Sequence, residues 1–311
     1  MTAAAIGKVC FIGLGKMGWP MAARLVSAGF DVAPVDAIAG RADAFASAHG
    51  SRLFSSAEEA AAASHAVITI VPTSKEVSEA LYSIRQALKP GTIVIEMSSG
   101  APSVTQKLAA ELAEAGVEMI DAPVSGGVAR AETGDLAIMA GGDAAAIERV
   151  HPLLSAMGST IVRVGGVGAG QAMKALNNLV SAGGFLIGIE ALVIGQRFGL
   201  DPALMVDVLN ASSGCNNSTQ RKFKQFVLSR KFDSGFSLDL MAKDLGIALE
   251  IANETASTVP FASLCRELWA GALKVLGPGQ DHTALAKFSE LLAASELRSE
   301  KAANEPVGAC G

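Results

Sequence analysis

The sequence predicts an α/β chain in two parts: an N-terminal doubly wound, mostly parallel sheet, then an all-α C-terminal domain joined to it by a long helix. Three observations predict it. Short Val- and Ile-rich runs alternate with helical patterns over the first 165 residues, as strands buried on both faces do. A glycine-rich joint, expected to be flexible, follows at 165–170. Beyond it, helical periods continue to about residue 295 with almost no β-branched alternation.

The elements follow in order. Lys8–Ile12 reads as a strand, 17–28 as a helix stopped by Gly29, and Asp31–Val35 as a second strand. A weak strand is expected at 52–54 and an Ala-rich helix at 57–63. The apolar run 66–71 is a buried strand ended by Pro72. Helix 75–88, a Lys-Pro-Gly turn, strand 92–97 and helix 102–115 come next, the last stopped by Gly116. Runs at 118–120, 136–140 and 160–164 complete the strands. The long helix runs over 171–198, and Asp201-Pro202 opens another with an N-cap and a first-position proline. Domain boundaries are expected at 1–167, 168–298 and a flexible polar tail 299–311.

Composition narrows the function. Half of the 311 residues are hydrophobic, 18% are charged and the net charge is −5. That much apolar mass argues against disorder, and the absent basic excess argues against a general nucleic-acid or membrane-surface binder. The longest charge-free central run, 175–189, contains two asparagines and a serine and falls short of the roughly 20 apolar residues of a span. No positively charged stretch precedes the first apolar run as in a signal peptide. The four cysteines form no CxxC pair and no metal-ligand spacing is visible, so no metal is expected. The chain reads as a reduced, cytoplasmic protein.

Four constellations carry chemistry. The first strand runs directly into Gly13-Leu14-Gly15-Lys16-Met17-Gly18 and then a helix. In this GxGxxG, Gly13 permits the tight turn, Gly15 lets backbone approach a pyrophosphate, and Gly18 lets helix and sheet pack closely. Strand, loop, helix and second strand in that order make the first domain Rossmann-type. Asp36 ends the second strand, 18 residues past Gly18, where an acid accepts hydrogen bonds from ribose hydroxyls and repels a 2′-phosphate. NAD is therefore the expected cofactor. NADP stays possible, with Arg41 the nearest arginine.

The second constellation is 121–127, where Ser125, Gly126 and Gly127 follow a short strand. A hydroxyl beside unshielded backbone N–H groups suits a carboxylate, though a Ser-Gly-Gly turn also reads as an ordinary loop. The third is Lys174 and Asn178, i and i+4 on one face of a helix otherwise poor in charge. Such groups need partners in apolar surroundings, and desolvation suits a lysine to acid–base work. A lysine near an exposed helix start is the plainer alternative. The fourth is Lys243-Asp244-Leu245, a charged pair inside an apolar helix.

This ordered set resembles the β-hydroxyacid dehydrogenase family over about residues 6–292. The family includes 3-hydroxyisobutyrate dehydrogenase, tartronate semialdehyde reductase and L-threonate dehydrogenase, with 6-phosphogluconate dehydrogenase more distant. Residues 11–22 look like its cofactor signature, 121–127 its substrate motif, 170–178 its catalytic motif and 243–245 its cofactor-side motif. The resemblance implies hydride transfer between NAD and a small 3-hydroxy acid, with Lys174 as general acid/base. Ser125, Gly126 and Gly127 would hold the substrate carboxylate, and Asn178 would orient the substrate. Val71, Pro72 and Ser99 would line the nicotinamide, and Lys243 would reach the cofactor. Ser99 stands where relatives usually carry threonine, keeping the hydroxyl. Homodimers or homotetramers are implied, built through the helical half.

The substrate stays open. Asn216 and Asn217 could bind extra hydroxyls of a polyol acid, or cap a helix. Arg130 leaves a phosphorylated substrate open, although no arginine cluster is visible. An inactive cofactor-binding scaffold is the alternative of a different class, opposed by the presence of both Lys174 and Asn178.

Overall fold

The computed structural model describes residues 6–298. The expected tail and Cys310 lie outside the described residues. The chain divides into two compact units, Met1–Ala175 and Leu176–Gly311.

The first unit contains an eight-stranded sheet: β1 (Lys8–Ile12), β2 (Asp31–Val35), β3 (Ala66–Thr69), β4 (Ile93–Glu96), β5 (Glu118–Asp121), β6 (Val124–Ser125), β7 (Leu136–Gly141) and β8 (Gly158–Gly165). Its order is β2-β1-β3-β4-β5-β7-β6, with β8 also on β7. The first five strands are parallel, β7 runs antiparallel to β5 and β6, and β8 is parallel to β7. The helices are α1 (Gly18–Ser27), α2 (Arg41–His49), α3 (Ala57–Ala62), α4 (Ser74–Ile84), α5 (Pro102–Ala113), α6 (Gly127–Thr133) and α7 (Ala144–Met157).

The two-residue period of the strands sorts side chains into two cores. Val9, Phe11, Ile68 and Ile95 pack with Met21 and Leu25 of α1 and Val150 of α7. Their alternates Cys10, Ile12, Val67 and Val94 pack with Leu81 of α4 and Leu108 of α5. Trp19 meets Phe45 edge-on at 5.1 Å in the first of these layers.

Three expectations change. Residues 52–54 form no strand: they find no partner, and the Arg52 guanidinium stacks over Phe54 at 4.7 Å instead. Helices α2, α6 and α7 were not anticipated; α7 is capped by Asp143, which accepts from the Ala145 and Ala146 N–H groups. The joint expected to be flexible holds a glycine that serves close packing: a Cβ on Gly170 would stand 2.3 Å from the Met139 carbonyl oxygen.

The long helix α8 (Ala169–Phe198) begins in the first unit and continues into the second. Contrary to the sequence reading, it is long and apolar enough by length and composition to cross a membrane, with a mean hydropathy of 1.7 over its most apolar stretch. However, 56% of that stretch is buried within the protein. Ala182, Phe185, Ile189 and Leu192 form the stripe of a core helix.

The second unit adds α9 (Pro202–Asn210), α10 (Asn217–Arg221), α11 (Leu238–Glu254), α12 (Pro260–Leu276) and α13 (Leu285–Leu292), with a π-helical segment at Phe223–Leu228. Asp201 caps α9 and Ser237 caps α11. Their shared core holds an aromatic stack: Phe223 meets Phe185 edge-on at 5.3 Å, and Trp269 lies nearly parallel to the His282 ring at 6.5 Å. His282 Nδ1 lies 3.0 Å from the Ser234 hydroxyl and 3.1 Å from the Phe236 carbonyl. Burial, aided by the Lys222 charge, pushes the imidazole down to about 4.

Candidate active site

Parallel registers align the carboxyl ends of four strands: Ile12 pairs with Thr69, Thr69 with Glu96, and Glu96 with Asp121. The glycine loop, Val71, Ser99 and the start of α8 therefore share the edge where doubly wound sheets bind ligands.

At the glycine loop, two glycines serve the protein and one leaves space. Gly13 has φ +102°, and a Cβ there would lie 2.3 Å from the Ile70 carbonyl oxygen. A Cβ on Gly18 would lie 1.8 Å from the Gly13 carbonyl oxygen. Around Gly15 a Cβ would meet nothing within 4 Å. No side chain caps α1, and no acid lies in its first turn. An open cradle over an uncapped helix start fits a pyrophosphate. Lys16 is exposed and Met17 half-buried at its rim. Asp36 holds the loop: Oδ2 accepts from the Leu14 N–H at 2.7 Å and Oδ1 from the Ile38 N–H at 2.8 Å. Arg41 Nη1 lies 3.3 Å from both carboxylate oxygens, so the arginine that the sequence left as a phosphate partner is paired with the acid.

The loops after β3 and β4 are stitched together. The Val71 N–H donates to the Ser98 hydroxyl at 2.8 Å, and the Ala101 N–H donates to the Ser74 hydroxyl at 2.9 Å. Val71 also approaches the glycine loop, its Cγ1 lying 3.0 Å from where a Gly13 Cβ would stand. Pro72 is exposed and Ser99 half-buried. Ser125 ends β6, and Gly126 and Gly127 follow at φ +141° and +72°. Both glycines are exposed, and space around Gly127 is open. Arg130 is held by Asp135 at 2.9 Å.

Lys174 is buried on α8, in the second turn of the helix. The helix start is tied down by Asp121, a fully buried carboxylate whose role sequence reasoning missed. Its Oδ1 accepts from the Gly168 N–H at 2.7 Å and its Oδ2 from the Gln171 N–H at 2.8 Å. Burial pushes this carboxyl above its usual range, against the opposing effect of those N–H bonds. The missed signal was an acid closing an otherwise apolar strand, which demands buried partners.

In the helical unit Asn178 is buried and donates through Nδ2 to Asp244 Oδ2 at 2.5 Å. Its Oδ1 accepts from Asn177 at 3.1 Å. Lys243 Nζ lies 3.4 Å from Asp244 Oδ1. Asp244, unassigned in the sequence reading, thus fixes both neighbours. Asn216 resolves the capping alternative: it caps α10, accepting from the Ser218 and Thr219 N–H groups.

Known proteins bear on this geometry. Residues 8–166 match the model of the NAD binding domain of 6-phosphogluconate dehydrogenase, and 168–289 that of the NAD-binding region of NADP-dependent 3-hydroxyisobutyrate dehydrogenase. The chain is 37% identical to 2-(hydroxymethyl)glutarate dehydrogenase of Eubacterium barkeri, over 91% of this chain and 95% of that one. It is 38% identical to NAD-dependent L-serine dehydrogenase of Pseudomonas aeruginosa, over 86% and 92%. A solved structure of Mycobacterium tuberculosis 3-hydroxyisobutyrate dehydrogenase with L-serine superposes with a TM-score of 0.84 at 34% identity, covering 91% of this chain and 99% of that one. With the glycine cradle and the buried Lys174 in the order the motifs require, the chain belongs to the β-hydroxyacid dehydrogenase family and is an NAD(P)-dependent oxidoreductase acting on CH–OH groups.

Proposed function

We propose that this enzyme interconverts a small 3-hydroxy acid and its 3-oxo acid with Lys174 as general acid/base and NAD as preferred cofactor. The carrying observation is a buried lysine on α8, whose first turn is anchored at the carboxyl edge of the sheet by Asp121. Bound in the glycine cradle, the nicotinamide cofactor supplies the hydride acceptor. In oxidation Lys174 takes the proton of the substrate hydroxyl; in reduction it returns it. Ser125 and the N–H groups of Gly126 and Gly127 hold the carboxylate, their positive φ angles turning the backbone into a nest. Asn178, held by Asp244, helps orient the substrate. Val71, Pro72 and Ser99 line the nicotinamide, and Lys243 serves the cofactor.

The relatives' names share one chemical unit, since L-serine, 3-hydroxyisobutyrate and 2-(hydroxymethyl)glutarate are all β-hydroxy carboxylates. The capping role of Asn216 removes one support for a polyol acid. Asp36 supports NAD, because a 2′-phosphate would meet its carboxylate. Arg41 beside it is the group that would admit NADP.

Val180, Ile187, Ile194 and Phe198 leave an apolar stripe exposed along α8. That stripe supports a homodimer or homotetramer formed through the helical half. Among the described residues Cys10, Cys215 and Cys265 are free thiols, which supports a cytoplasmic setting.

The test is turnover with NAD⁺ and NADP⁺ against L-serine, 3-hydroxyisobutyrate, glycerate and L-threonate, for wild type and Lys174→Ala. The variant should bind NADH normally and lose about 10²–10⁴-fold in kcat. Near-normal turnover would remove Lys174 from this role.

A further inference from the structure

Gln171 stands three residues before Lys174 and is 1% exposed. All its polar groups are engaged. The side-chain NH₂ donates to the Ser98 carbonyl at 2.8 Å, and the side-chain carbonyl accepts from the Gly100 N–H at 2.9 Å. Its backbone N–H donates to Asp121 at 2.8 Å. The side chain thus grips the peptide groups on both sides of Ser99, as a neighbouring strand would. Ser98 in turn accepts from Val71 through its hydroxyl.

Anchoring α8 to the sheet does not need this amide. Asp121 already holds the Gly168 and Gln171 N–H groups, and Gly170 is packed against the Met139 carbonyl. Those contacts hold backbone groups of the helix start. The two side-chain bonds add a lateral hold, from the wall of the helix to the Ser98–Gly100 loop. Residues three apart lie on neighbouring positions of one face, so whatever fixes the azimuth of residue 171 fixes that of residue 174. The amide is tolerated in this buried position because both of its ends are paired, and each bond is a directional constraint that an apolar residue of the same volume would not supply.

We propose that Gln171 is a positioning residue that sets the rotation of α8 against the Ser98–Gly100 loop, and so aims Lys174 at the reacting hydroxyl. This rests on the assignment of Lys174 as general acid/base. Gln171→Met keeps length and apolar volume and removes both amide bonds. It should lower kcat about 10–100-fold, the usual result of misplacing a catalytic group by about 1 Å, while KM and the Kd for NADH stay within about threefold. In the cofactor-free protein, hydrogen exchange should quicken at Gly100 while the Gly168 and Gln171 amides stay protected. Gln171→Glu offers a rescue, because its carboxyl mimics the amide only when protonated. Followed in the reductive direction, its turnover relative to wild type should rise as pH falls.

Wild-type kcat in Gln171→Met overturns the proposal. So does a joint fall of kcat and NADH affinity with faster exchange at Gly168 and Gln171, which would make the residue an anchor only. So does a Gln171→Glu to wild-type ratio that is flat with pH in folded protein. Lys174→Ala separates the two readings: if it is inactive while Gln171→Met is normal, only the positioning role falls. If Lys174→Ala is active, the lysine assignment falls and this proposal with it.

Discussion

Two helices of the first unit begin at the same edge of the sheet, and their starts are built in opposite ways. At α1 no side-chain cap and no acid stand at the first turn, and the space over Gly15 is open. At α8 a buried carboxylate accepts two N–H groups, and a Cβ on Gly170 would collide with both Met139 and Asp121. A helix start satisfied from inside the protein is a fixed mount. One left unsatisfied is a place for an anion. Glycine stands at both: Gly170 answers a close neighbour at α8, whereas Gly15 leaves open space before α1.

Substitutions can break that contrast, and the largest effect belongs to the fixed mount. Gly170→Ala forces a methyl to within 2.3 Å of a backbone oxygen that has no room to retreat. Denaturant melts should show a loss of about 3 kcal/mol or more, or no soluble protein. Asp121→Asn comes next. One amide hydrogen would then face the Gly168 or Gln171 N–H, leaving a buried donor unmet at a cost of about 1–3 kcal/mol in the same melts. Gly15→Ala should leave the melting curve of the free protein unchanged, since its Cβ enters empty space. Its NADH affinity, by fluorescence titration, should fall about tenfold or more, equivalent to about 1.4 kcal/mol. A Gly15→Ala protein that binds NADH normally would show that the open space at α1 is not the phosphate site.

The same contrast separates what the sequence disclosed from what it hid. The glycine loop was legible because strand, turn and helix lie within a few residues of one another, with Gly13 and Gly18 where a Cβ would collide. Lys174 and Asn178 were legible as i and i+4 on a charge-poor helix. The clamp around Asp121 was not, because its partners are 47 and 50 residues away and nothing local announces them. Helix α2, RADAFASAH, buries only Phe45 and Ala46 and so carries almost no periodic signal. Residues 52–54 looked like a strand by composition, but a strand exists only with a partner. The joint at 165–170 was taken for flexibility because glycine has two uses, freedom and closeness, and only the neighbours decide which.

The chain has two tryptophans, and one stands in each unit: Trp19 against Phe45 and Trp269 against His282. The imidazole stays neutral in the fold down to about pH 4, whereas in the unfolded chain it protonates near 6.5. The unfolded state therefore binds the extra proton between those values, and the stability due to His282 is lost as pH falls through that window. Asp281 beside it, its carboxyl held below the usual range, adds acid sensitivity of the same sign further down. The protein thus carries a fluorophore touching its acid-labile group and a second that is remote from it in sequence. In Trp19→Phe, emission should redden on acidification toward pH 4 as Trp269 loses its stack. In Trp269→Phe the remaining signal should respond at lower pH, and coincident transitions in the two proteins would show that the chain unfolds in acid as one cooperative body.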